Sequence, residues 1–574
     1  MRLRLALAQI NTTVGDLAGN RDLILARLEE ARRRKADIVV FPEMAVTGYP
    51  PEDLLLKPDF VSGAMRTLEE IVPATRGLTA VVGTAYVEGD LFNSAAVLHD
   101  GRLAGVYHKQ LLPNYGVFDE NRYFQSGSKR MVFFRNGVAF GVSVCEDIWY
   151  PDGPPEAQAG QAGAELLINI SSSPYYMGKG RNRERMLATR ASDNNAFVAY
   201  CNLVGGQDEL VFDGQSLICG PGGETVFRGR QFEEELSIVG LDFTEVFRRR
   251  LFDPRLRKAG RKGRDDFERI ELPGLQVKDG GDFEAPVSTE PLERIAEVYR
   301  ALVLGTRDYV SKNNFSKVVI GLSGGIDSSL TAAVAADALG PENVSGISMP
   351  TRYSSTHSVE DAEQLAHNLG LHYKKVPIEN IFQVFLDVLT PEFKGREPDV
   401  TEENIQARIR GIVLMAFSNK FGWLVLTTGN KSEIGVGYST LYGDTAGGFA
   451  VIKDVPKTLV YELCRYRNTL AGSQVIPARV LEKPPSAELR PGQQDSDSLP
   501  DYALLDPILN ACVEESCSPS DIVRRGFDED TVRRVIKMLD SNEYKRRQSP
   551  PGVKITPRAF GKDWRLPITN RYRT

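Results

Sequence analysis

Cysteine is scarce and scattered: six in 574 residues, at 145, 201, 219, 464, 512 and 517, with no CxxC pair. That excludes a disulfide framework and a cysteine-built zinc site, and it fits a reducing compartment. Long apolar runs are missing too. Nowhere do about 18 apolar residues follow one another, so no membrane-spanning helix is expected. The N-terminal MRLRLALAQI is broken by Arg4 and Gln9 and does not read as a signal peptide. Nor is there an excess of one charge: the net value is −6 with both signs mixed. Such a balance gives no general attraction to nucleic acid or to an anionic membrane. A soluble cytoplasmic chain of about two to four domains is the expectation.

What is present is an alternation of strand and helix signals. Residues 1–240 begin with LRLALAQI at period two and continue with LILARLEEA at helical spacing. DIVVFPE, TAVVGTAYVEG, GVAFGVSVCED, ELLINISSS and NAFVAYCNLVG follow as strands, with hairpin turns predicted at Asp100-Gly101 and Asn136-Gly137. From 244 to 290 the pattern collapses into a charged linker. Its window 248–264 holds nine basic residues without interleaved aromatics, which favours a solvated linker or inter-subunit surface over base stacking. From 291 to 574 a second alternation runs through KVVIGL, NVSGISMP, LHYKKVPI and WLVLTTG, predicting a doubly wound parallel sheet. The tail is rich in proline and charge, with a helical stretch over 519–540.

The stretch GVSVCEDIW sets Cys145 directly before two acids, whose charge raises a thiol pKa. A nucleophile here needs a positive charge from elsewhere. DIVVFPE finishes on Glu43, LAGVYHK on Lys109 and GVAFGVSVC on Cys145, which predicts a site at one edge of a sheet. Lys109 would stabilise the thiolate and a developing oxyanion, and Glu43 would accept the thiol proton. Period-two alternation sends Glu146 to the face opposite Cys145. Singly, such a cysteine is ordinarily core and such a lysine solvated. Together, in their FPE, YHK and CED contexts, the three resemble the Glu-Lys-Cys triad of the nitrilase superfamily across residues 1–243. The resemblance implies an αββα sandwich and attack by Cys145 on a side-chain amide, with ammonia release and thioester hydrolysis. It further implies Glu120 as a second glutamate orienting the lysine, and Tyr115, Ser173 and Lys179 as holding glutamine.

KVVIGLSGGIDSSL is a strand, a glycine-rich turn and a helix start. Gly324 and Gly325 let backbone N–H groups approach an anion in front of a helix N-terminus, and Ser323, Ser328 and Ser329 add hydroxyls. No GKS/T follows, so this is not a Walker loop. The SGGIDS motif resembles the pyrophosphate loop of the ATP pyrophosphatases, with their adenine nucleotide alpha hydrolase-like fold. That implies ATP on Gly321, Leu322, Ser323, Gly324, Gly325, Ile326, Asp327 and Ser328, with Thr428 at a later strand end. Asp327 is placed to ligate Mg²⁺ or to cap its helix, and Glu433 at the carboxyl edge of the sheet is read as a second Mg²⁺ ligand.

An amide-splitting half ahead of an adenylating half resembles the glutamine-dependent NAD⁺ synthetase family. ALAQINTTVGDLAGN, LPNYGVFDENRYF, ENIQARIRG, TTGNKSEIGVGYSTLYGD and SNEYKRRQSPPGVKITPRAFG match it as well. The resemblance implies L-glutamine, ATP and deamido-NAD⁺ as substrates, and Mg²⁺ as cofactor. It also implies Asn404, Glu433 and Lys545 as dinucleotide contacts. No nucleic acid or membrane partner is expected, and a homo-oligomer is. Two rivals stay open: another ATP-pyrophosphatase amidotransferase with a different acceptor, and an amidase carrying a nucleotide-sensing module.

Overall fold

Alternation in the first strand divides its side chains between two cores. Leu3, Leu5 and Leu7 enter one apolar cluster, Ala6 and Ala8 another. In the computed structural model, which describes residues 2–253, 266–275 and 287–572, that strand belongs to the first of two units. One unit is Met1–Gln207 with Val211–Leu292; the other is Asp208–Leu210 with Glu293–Thr574.

The first unit carries strands β1 (Arg2–Gln9), β2 (Ile38–Val40), β3 (Thr79–Glu88), β4 (Asp90–His99) and β5 (Arg102–His108). Next come β6 (Met131–Arg135), β7 (Val138–Val144), β8 (Leu166–Ser171), β9 (Phe197–Asn202) and the hairpin β10 (Val204–Gln207)–β11 (Leu210–Asp213). Strands β12 (Leu217–Cys219), β13 (Thr225–Arg228), β14 (Glu235–Asp242) and β15 (Glu268–Glu271) complete it. Two sheets form, ordered β14-β1-β2-β3-β4-β5 and β13-β12-β9-β8-β7-β6-β15. Leu5, Val40, Val81 and Val97 of the first meet Phe133, Phe140, Val142 and Ile168 of the second in one dry layer. Helices α1 (Leu17–Arg33) and α2 (Pro58–Ile71) cover the outer face of the first sheet through Ile24, Leu28, Leu68 and Ile71. Helices α3 (Pro154–Gly160) and α4 (Lys179–Asn194) cover the second through Ala159, Leu187 and Ala191. The result is the αββα sandwich. Both predicted turns join adjacent antiparallel strands, with positive φ at Asp100, Gly101, Asn136 and Gly137.

The stretch expected as a linker is structured in part. Helix α5 (Thr244–Phe252) follows β14, and β15 pairs in parallel with β6. Arg250 of the basic run donates to the carbonyls of Asn195, Gly163 and Ala164. It is a structural cation. Residues 254–265, the rest of that run, lie outside the described residues.

The second unit is built on β16 (Val318–Gly321), β17 (Val344–Ser348), β18 (His372–Lys375), β19 (Leu424–Thr427) and β20 (Phe449–Ala450). All are parallel, in the order β18-β17-β16-β19-β20. Both faces are covered, which is why VVI and LVL are uninterrupted apolar runs. The order reverses between β16 and β19, the point where open parallel sheets bind ligands at their carboxyl edge. The tail is no loose extension. Leu505, Ile508, Leu509, Val532, Val535 and Leu539 pack with Ile434 and Val436 into a separate helical core.

Candidate active sites

Glu43, Lys109 and Cys145 come together, but not at one edge of one sheet. Glu43 lies three residues beyond β2 and Lys109 just beyond β5, both in the first sheet, whereas Cys145 follows β7 in the second. The cluster sits between two sheet ends facing each other. Lys109 Nζ donates to Glu43 Oε1 and to Glu120 Oε1, each at 2.8 Å. All four side chains are almost fully buried. Burial alone would strip the Lys109 proton, but Glu120 and Glu43 outweigh it and hold the ammonium well above its ordinary value.

Glu43 is fixed by more than the lysine. Its Oε1 also accepts from Asn93 Nδ2 at 2.7 Å, and its Oε2 from the Ser172 N–H at 2.8 Å. Glu120 accepts from the Tyr49 hydroxyl at 3.0 Å, and burial pushes its carboxyl up to about 7. Asp147 ties the two sheets: it accepts from the Val144 N–H at one strand end and from the N–H groups of Gln110 and Leu111 beyond the other. The Tyr107 hydroxyl donates to it as well, at 2.8 Å. One carboxylate thus sets the spacing between Cys145 and Lys109.

One expectation about the Cys145 strand is corrected. The strand stops at Val144; Cys145 opens a short 3₁₀ turn with φ of 42°. Strand alternation therefore does not apply to Glu146, which remains on the site side. It accepts from the Tyr115 hydroxyl at 3.0 Å and is felt by Lys109 and Lys179. The charge on the thiol follows its surroundings. Burial and Glu43 push its pKa well above the ordinary value, and Lys109 opposes them only in part. A left-handed φ on a cysteine is strained, and such strain concentrates at reactive residues.

Of the remaining predicted contacts, Ser173 follows β8 and donates its N–H to Asn202. Lys179 opens α4, where its ammonium lies on the Pro174 carbonyl and 5.3 Å from the Tyr176 ring. Sequence reasoning missed Tyr49, Asn93, Asp147 and the Ser172 N–H. Only Asp147, inside the CED motif, carried a local signal.

In the second unit, residues Gly321 to Ser328, Asn404, Thr428, Glu433 and Lys545 all line one cavity of about 640 Å³. Gly324 has φ of 76°, and a Cβ there would stand 2.1 Å from the Ser358 carbonyl oxygen, so only glycine fits. The Ser323 hydroxyl closes the loop, accepting from the Gly325 N–H and pairing with Ser328. Gly325 is the helix N-cap and Asp327 lies inside the first turn, on the wall of the cavity. Asp327 Oδ1 accepts from Asn430 at 2.8 Å. Lys457, unforeseen in the sequence, places Nζ 2.5 Å from Asp327 Oδ2 and 3.1 Å from Glu433 Oε1. Burial pushes Glu433 up to about 8. Asn404 Oδ1 accepts from the Thr440 hydroxyl, and Lys545 donates to the carbonyls of Gly437 and Ser439.

Comparison with known proteins agrees with this division. The carbon-nitrogen hydrolase family model matches residues 4–250 and the NAD synthase model residues 298–549. The glutamine-dependent NAD(+) synthetase of Thermotoga maritima is 50% identical over 574 residues, 100% of this chain and 99% of that protein. Its counterpart from Aquifex aeolicus is also 50% identical, over 99% of this chain and 100% of its own. A solved glutamine-dependent NAD+ synthetase from Acinetobacter baumannii, in complex with ADP, is 40% identical with a TM-score of 0.76 over 99% of both chains. With two family models in this order and relatives at half identity along the whole length, the chain belongs to the glutamine-dependent NAD(+) synthetase family.

Proposed function

We propose that this chain converts deamido-NAD⁺ to NAD⁺, taking nitrogen from L-glutamine and splitting ATP into AMP and pyrophosphate. The observation that carries the reading is the buried Glu43–Lys109–Glu120 cluster beside a cysteine at positive φ, in a chain that also builds a glycine-lined phosphate cavity. Because the Cys145 thiol is neutral at rest, Glu43 takes its proton as Sγ attacks the glutamine side-chain carbonyl. An ammonium has three donors, and Lys109 commits two of them to carboxylates. The third is left for the developing oxyanion. Glu43 then returns the proton to the leaving nitrogen and ammonia departs. Water, deprotonated by Glu43, hydrolyses the thioester to glutamate. Tyr115, Glu146, Ser173 and Lys179 offer donors and an acceptor for the amino-acid end of glutamine.

In the second unit the loop from Gly321 to Ser328 and Thr428 would hold ATP, and Asn404, Glu433 and Lys545 the dinucleotide. Asp327 and Glu433 converge on one cation, Lys457 Nζ, and so supply hard oxygen ligands of the kind Mg²⁺ takes. Among the described residues no group of three or more His, Cys, Asp or Glu is arranged around a metal position. Phosphate and water oxygens would therefore complete its shell, and the ion would neutralise charge on the leaving pyrophosphate. Nitrogen must reach the activated nicotinate carboxyl as neutral ammonia, since ammonium has no lone pair. A cytoplasmic location and a homo-oligomer belong to the same reading. The helix Glu379–Leu389 exposes Ile381, Val384, Phe385 and Val388 at helical spacing, an apolar stripe of the kind that marks association. Light scattering in solution reads the assembly.

The decisive assay supplies purified protein with glutamine, ATP, Mg²⁺ and deamido-NAD⁺ and follows NAD⁺, AMP and pyrophosphate. The same assay with aspartate or XMP as acceptor tests the amidotransferase alternative. Pyrophosphate release that does not depend on any acceptor contradicts the synthetase reading, and glutamate without NAD⁺ would leave only an amidase.

A further inference from the structure

The acid and base groups around Lys109 pose an electrostatic problem that the triad does not solve. Two buried carboxylates share one ammonium, each 2.8 Å from it. Like charges so close raise each other's proton affinity, and a protonated Glu43 could not accept the thiol proton. One neutral side chain stands between them. Asn93, fully buried on β4, donates Nδ2–H to Glu43 Oε1 at 2.7 Å and reaches Glu120 Oε2 at 3.4 Å. The β4–β5 ladder puts it there: the Asn93 carbonyl accepts the Lys109 N–H at 2.8 Å, so amide and ammonium project from paired positions. Facing two carboxylates, only the amide nitrogen can point inward. The arrangement leaves Asn93 Oδ1 buried without a hydrogen-bond partner among the described residues. A fold that tolerates an orphaned acceptor in order to aim an NH₂ group is spending stability on that aim.

We infer that Asn93 is a positioning residue for the glutamine-splitting step: its amide bridges Glu43 and Glu120 and keeps Glu43 free to take the Cys145 proton. This rests on the reading of Cys145 as nucleophile and Glu43 as base. The groups facing Glu43 and Glu120 are Lys109 after β5, Tyr49 from the loop after β2, Cys145 and Glu146 after β7, and the Ser172 N–H after β8. Lys109 is the one cation among them. A carboxylate that loses an N–H donor holds its proton more tightly. That gives the substitution a sign.

The test compares Asn93→Leu and the near-isosteric Asn93→Asp with the parent enzyme. It reads the pH profile of glutamine kcat/KM and, independently of substrate, the pH dependence of Cys145 alkylation by iodoacetamide. Asn93→Leu should lose about tenfold or more in kcat/KM, and the acid limb of both profiles should move to higher pH. Asn93→Asp keeps the shape but adds a third carboxylate. It should be poorer than Asn93→Leu above neutral pH and gain on it as the pH falls and the new acid takes up a proton. Profiles that keep the parent's shape and differ only in amplitude would show a packing role and overturn the inference. Should the parent release no glutamate, the glutaminase reading has failed; the alkylation profiles then still decide what Asn93 does to the cluster.

Discussion

Lys109 is held by two buried carboxylates, and in the proposed reaction its remaining N–H meets the oxyanion. Replacing it with methionine should lower glutamine hydrolysis by about 10²–10³-fold, the range for losing one oxyanion donor. It should also raise the pH at which Cys145 is alkylated, because Lys109 is the charge that lowers the thiol pKa. Glu120 makes a stability statement. Its carboxyl is raised from an ordinary 4.5 to about 7, chiefly by burial. Folding then favours the protonated form. The contribution is fully present below the ordinary value and is lost as pH rises through about 7. The thermal stability of the first unit should fall over that interval, and Glu120→Gln should flatten the slope.

At the scale of elements, both sites depend on strands stopping where they do. Strand β7 ends one residue before Cys145, and the turn that follows lets Asp147 reach back to Val144 and across to Gln110 and Leu111. That carboxylate ties the Cys145 turn to the segment after Lys109, and Asp147→Ala should cost glutaminase activity through kcat rather than KM. The glycine turn after β16 has a similar role. Gly324→Ala would drive a methyl into the Ser358 carbonyl at a positive φ, displacing the loop by an ångström or so. Misplacement of that size costs about 10²-fold in rate. ATP-dependent product formation should fall accordingly while glutamine hydrolysis alone is kept.

At the scale of the whole molecule, the two chemistries occupy separate units, and variants should divide along that line. Cys145→Ala should abolish glutamine-dependent NAD⁺ formation yet leave ammonium-dependent formation, read as NAD⁺ with each nitrogen source. Asp327→Ala should stop both, because the nucleotide cavity loses a carboxylate that Lys457 holds at its wall. The fold class, the strands β1 to β5 and β7 to β9 and the turns at Asp100 and Asn136 were legible locally, since each rests on period or turn chemistry. The site's construction from two sheets was not, because Glu43 and Lys109 reach Cys145 only through sheet packing. Lys457 and Asn93 were invisible for the same reason. A lysine at a helix start and an asparagine in a strand carry no chemistry until their neighbours are known.

The sequence by itself determined which groups are available: a cysteine in a CED context, a glutamate and a lysine after apolar strands, and an SGGIDS turn that admits phosphate. Tertiary structure decided their charge states. Proton affinity depends on burial and on partners distant in the chain. Only the fold places Glu43 beside Lys109, 66 residues apart, and buries both beside a thiol whose pKa burial and Glu43 raise.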